Sequence, residues 1–129
     1  MRAYTAVVTR EGDNWLGDIP AVPGAHTYAK TLASLVNYLR EVAILMDDLP
    51  DGAEVLIKLD FKTDDKNVQA GSELGEERER LAAMERQLAE GTATLAGRLA
   101  ERFGVRDAAA ILGVSPGRIS QLARAARSA

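Results

Sequence analysis

The chain has 129 residues, with 47% hydrophobic and 27% charged side chains and a net charge of −3. It has no cysteine and a single histidine, which excludes a disulfide scaffold, a zinc finger, a thiol nucleophile and a histidine-rich metal site within one chain. No wholly apolar run exceeds five residues, as in Val42 to Met46, which is far short of a membrane span, and MRAYTAVVTR lacks a signal-peptide core. A soluble, cytoplasmic protein of one ordinary or two very small domains is expected. Residues 3–10 alternate, with Tyr4, Ala6 and Val8 on one face, and predict a strand. Gly12, Asp13 and Asn14 then turn the chain into a second strand from Trp15. Pro20 and Pro23 stiffen a break, because each fixes φ and lacks an N–H, and a short strand is expected at 25–29. Thr31 stands as a helix cap before Leu32, Leu35, Val36, Leu39, Val42, Ala43 and Met46, an amphipathic series ended by Leu49-Pro50-Asp51-Gly52. Val55, Ile57, Leu59 and Phe61 alternate as a further strand. Residues 1–61 therefore predict ββ(β)αβ.

Residues 62–72 are polar and turn-rich and predict a linker. Beyond it Ala, Leu, Glu and Arg dominate, and helices are expected at about 73–90, 92–103, 106–112 and 116–126. The whole is an α+β chain: a small sheet domain followed by an all-helical module over 73–129. Leu74, Leu81, Leu88 and Leu95 sit seven apart, the spacing of a dimer seam. Gly91 interrupts the run and Glu77 occupies the alternate seam position, so an apolar face packed against the rest of the module is the expectation. Charge is uneven: residues 1–70 carry −4, residues 71–101 carry −3 and residues 102–129 carry +4. A basic end on an acidic protein suits a small module that meets a polyanion.

Residues 105–126 contain VRDAAAILGVSPGRISQLAR, which resembles a helix-turn-helix. Ala108, Ala109 and Leu112 supply an inner face, and Ala109 is small enough for two helices to approach. Gly113 tolerates positive φ in the turn, and Val114 plugs the angle. Ser115 and Pro116 suit the cap and first position of a second helix, whose inner face is Ile119, Leu122 and Ala123. That face leaves Gly117, Arg118, Ser120, Gln121 and Arg124 on or near the outside. In such motifs the start of the second helix enters the major groove. Gln121 suits adenine and Arg118 or Arg124 suits guanine. Ser115 and Arg106 are placed to hold phosphates, and Gly117 allows close approach to DNA.

Trp15-x-x-Asp18-Ile19-Pro20-x-x-Pro23-Gly24-x-x-Thr27, followed by Thr31-Leu32 opening a helix, resembles the HicB-like antitoxin domain over residues 3–61. The sequence departs from the usual pattern at Ala25, at Ala29-Lys30 and at Ala33-Ser34. The resemblance implies a trimmed ribonuclease-H-like fold, a HicA-like RNA-cleaving toxin as partner, and repression of the protein's own operon. A toxin of that kind is expected to be basic, which the −4 of residues 1–70 complements. The helix-turn-helix implies double-stranded DNA with a palindromic operator and a homo-oligomer, a dimer or larger, nucleoid-associated when DNA-bound. The alternative is a stand-alone regulator whose first domain only oligomerises or senses a ligand.

No enzyme, metal or cofactor is expected. Strand 3–10 carries no carboxylate, and Asp13, Asp18, Asp47 and Asp48 fall in turns or at a helix end. His26 has no nucleophile or second base near it in sequence, and no phosphate-binding glycine loop is present.

Overall fold

The computed structural model describes residues 1–128, which form four strands, four helices and two compact units, Met1–Gly75 and the residues from Glu76 onward. The first unit is an α+β layer. Strand β1 (Arg2–Glu11) turns at Gly12 into β2 (Asn14–Asp18), and β3 (His26–Ala29) follows the proline loop. Helix α1 (Leu32–Met46) then leads to β4 (Val55–Phe61). The sheet order is β3-β2-β1-β4. β1 pairs antiparallel with β2 and parallel with β4, with Tyr4 opposite Ile57 and Val8 opposite Gly17 and Phe61.

The period-two pattern does what it predicts. Tyr4, Ala6 and Val8 are buried beneath α1, and Val55 and Ile57 join them from β4. The Thr31 hydroxyl accepts the Ser34 N–H at 3.2 Å and caps α1. Leu35, Leu39 and Ala43, one turn apart, are the buried stripe of that helix. The proline loop closes on itself, with Ile19 N–H donating to Ala25 O at 2.8 Å and Ala25 N–H to Val22 O at 3.0 Å. It drives Ile19, Val22 and Ala25 into the same core. Trp15 lies edge-on to Phe61, ring centroids 6.1 Å apart, with the Arg10 guanidinium 4.6 Å from its centroid. Tyr4 Oη donates to Asp47 Oδ2 at 2.5 Å, tying β1 to the end of α1. That bond, aided by burial and the Asp47 charge, raises the phenol above its ordinary 10.0.

Helix α2 (Lys66–Phe103) corrects the expected linker. Only residues 62–65 are non-helical between β4 and α2, and residues 66–72 are its first turns. The Asp65 carboxylate accepts the N–H groups of Asn67 and Val68 at 2.8 and 3.1 Å, an N-cap hidden in a run read only as polar. The Gln69 amide donates to Phe61 O and Thr63 O at 2.9 and 3.2 Å, fastening this turn to the end of β4. The expected break at residue 91 is also absent, and the two helices predicted at 73–90 and 92–103 are one. An interior glycine costs only about 1 kcal/mol against alanine, and α2 runs through four of them, Gly71, Gly75, Gly91 and Gly97. Nor does the leucine face pack against the rest of the module. Leu74, Leu81, Leu88 and Leu95 are 59%, 56%, 72% and 43% exposed. Two short helices, α3 (Val105–Leu112) and α4 (Pro116–Ser128), complete the second unit. Among the described residues no helix is long and apolar enough to cross a membrane.

Gly17 lies under α1 where a Cβ would stand 2.9 Å from Leu39 Cδ1 and 3.3 Å from Leu35 Cδ1. Gly17→Val is expected to lift α1 off the sheet and to cost about 1–3 kcal/mol in urea denaturation, the range for overpacking a filled core.

Candidate nucleic-acid interface

The α3–α4 pair is built on a very small core. Ala108 and Ala109 of α3, Ile119 of α4 and Ala96 of α2 are buried together. Leu99, Ala100, Val105, Leu112, Val114 and Leu122 surround them. With alanines at the crossing, the helix backbones approach closely and Ile119 fills the space between them. Gly113 ends α3 in the left-handed region at φ 72°, and its N–H donates to Ala109 O at 2.8 Å. Val114 N–H donates to the same carbonyl at 3.1 Å, so the chain reverses within three residues. Ser115 then caps α4, its Oγ accepting the Arg118 N–H at 3.1 Å. Pro116 takes the first helical position, where its missing N–H costs nothing.

The burial of Ile119 fixes the orientation of α4. At about 100° per residue, Gly117, Gln121 and Arg124 project away from the core, with Arg118 on one flank and Ser120 on the other. Gly117, Arg118, Gln121 and Arg124 are exposed, as are Arg106 on α3 and the cap Ser115. Ser120 is half-buried. Its carbonyl accepts the Arg124 Nε–H at 3.5 Å, which draws that guanidinium back along the helix. Ser120 and Arg124 also border a cleft of about 680 Å³. Its far wall is the last part of α2: Ala93, Thr94, Gly97 and Arg98.

Arg98 is a basic neighbour of the cleft that the sequence motif did not include, because it lies seven residues before the first helix of that motif. The acidic Glu101 lines the same cleft, while Arg102 stacks its guanidinium 5.0 Å from the Phe103 ring centroid. Arg102 opens the basic end, whereas Arg98 falls in the acidic stretch 71–101, where no sequence signal sets it apart. The acidic side chains weighed for catalysis do not converge: Asp13, Asp18 and Asp48 are exposed, and Asp47 accepts from Tyr4. His26 is exposed on β3. No group of three possible metal ligands occurs among the described residues.

Ile119 is the one large, fully buried side chain of this small core. Ile119→Ala is expected to cost about 2–5 kcal/mol and to unfold the α3–α4 pair. Amide exchange should show protection lost in α3 and α4 but kept in β1 and β4, with Trp15 fluorescence unchanged.

No family model matches the chain, and neither the curated proteins nor the solved structures contain a match to it.

Proposed function

We propose that this chain is an antitoxin that also represses its own operon. The observation that carries the DNA-binding half is the outward set on α4. Gly117, Arg118, Gln121 and Arg124 are exposed on a helix whose start is capped by Ser115 and whose orientation is fixed by Ile119. Residues 102–129 carry net +4 on an otherwise acidic chain, which suits a phosphate backbone. On this reading α3–α4 is a helix-turn-helix. The N-terminal part of α4 enters the major groove, with Gln121 reading adenine and Arg118 or Arg124 reading guanine. Arg106 and the α4 N-terminus with Ser115 hold phosphates. A palindromic operator follows from the two-fold symmetry of a dimer.

The antitoxin half rests on the HicB-like reading of residues 1–61. In its support, the element order is strand, strand, proline-glycine loop, short strand, helix, strand, with the loop folded into the core. The acidic balance of this part suits a basic HicA-like toxin, an RNA-cleaving protein of the cytoplasm.

Two experiments test the halves separately. In fluorescence anisotropy with DNA from upstream of the gene, Arg118→Ala and Gln121→Ala should each cost about 1–3 kcal/mol and relax base preference. Arg106→Ala should weaken all sequences alike and reduce the salt slope by about one. Wild-type binding no tighter than to random DNA would remove the repressor reading. In a growth assay, the small open reading frame beside this gene should arrest growth alone and be relieved by co-expression of this protein. A harmless neighbour, or toxicity that this protein does not relieve, favours the stand-alone regulator.

A further inference from the structure

Helix α2 is 38 residues long, roughly 57 Å at 1.5 Å per residue. Isolated helices are marginal in water and take most of their stability from packing an apolar face. Over much of its length α2 presents such a face to solvent. Leu74, Leu81, Leu88 and Leu95 recur every seven residues, and Met84, 65% exposed, stands three residues after Leu81. A seven-residue repeat drifts only about 20° per heptad around a straight helix, so these side chains share one stripe.

We propose that this stripe is the seam for a second copy of the chain, with the two α2 helices antiparallel about a two-fold axis between residues 82 and 83. Charge decides the direction. In a parallel pair the seam would set Glu77 against Glu77 and Arg98 against Arg98. In the antiparallel pair each leucine meets a different residue. Leu81 packs on the partner's Met84, Leu95 on the partner's Ala70, Leu74 on the partner's Gly91, and Leu88 on the stem of the partner's Glu77. The small residues at 70 and 91 give two leucines room, and no like charges face each other in the seam. On the flank, Arg78 comes opposite the partner's Glu85, and symmetry makes that pair twice. Glu77 keeps its own partner, because Arg80 Nη2 lies 3.2 Å from its Oε2 within the same helix.

Each stripe side chain brings on the order of 60 Å² of apolar surface. Ten of them give roughly 600 Å², about half of the ~1,200 Å² at which specific interfaces begin, so the flanking stems must supply the rest and the dimer is expected to be concentration-dependent. The seam would cover a stripe that the described residues leave about half exposed. It stands apart from the proposed DNA reading, and its test uses no DNA.

Sedimentation of the full chain should give a mass of twice 13.8 kDa. Leu81→Glu/Leu88→Glu should shift the monomer–dimer midpoint about tenfold or more toward monomer, with Trp15 fluorescence unchanged. A wild-type monomer at every concentration, or a dimer indifferent to both substitutions, overturns the seam. The chain has no cysteine, so introduced thiols report cleanly. A mixture of Leu81→Cys and Met84→Cys chains should form a mixed disulfide, whereas Leu88→Cys should not cross-link to itself. Self-cross-linking of Leu88→Cys overturns the antiparallel arrangement.

Discussion

The first unit depends on one close approach, that of α1 to the sheet over Gly17. With no side chain at that position, Leu35 and Leu39 descend to the strand backbone and complete a core shared by all four strands. The rest of the unit is arranged around that contact. β1 sits centrally because its buried face, Tyr4, Ala6 and Val8, lies beneath the helix, and β4 pairs parallel to it because the chain crosses over through α1 before returning. The proline loop follows the same logic. Its short internal hydrogen bonds satisfy the backbone locally, which lets Ile19 and Val22 enter the core without leaving unpaired polar groups.

The second unit solves a different problem with far less apolar material. A hairpin of two short helices has little surface to bury, so it relies on local devices: a left-handed glycine, a serine cap, an N1 proline and one large side chain over a bed of alanines. Each device fixes α4 relative to α3 without occupying its outer face. That economy leaves Gly117 and Gln121 exposed outside the small core.

Helix α2 shows how local and tertiary terms trade off. Asp65 starts it and Gln69 holds its first turn to the end of β4, both through ordinary polar bonds that a reading for apolar periodicity passes over. Thr92 and Thr94 return their hydroxyls to the carbonyls of Leu88 and Glu90 at 2.8 and 2.9 Å, so polar groups around Gly91 are met within the helix. The leucine repeat was legible in the sequence, but its exposure was not. A heptad stripe looks the same whether it is covered by the same chain or by none of it.

The sequence alone determined the strands at 2–11 and 55–61 to within a residue, the buried stripe of α1, and the turn chemistry of α3–α4. These are short-range matters: alternation, three-and-four spacing, caps and left-handed glycines act within a few residues of themselves. The tertiary structure alone decided the sheet order, the parallel pairing of β1 with β4, and the depth to which α1 settles on Gly17. It also decided that residues 66–103 are one helix and that Ser120 turns half inward while Gln121 stays out. Those outcomes depend on which distant surfaces meet, and the free energy of burial that selects among them is invisible until the partners are in place.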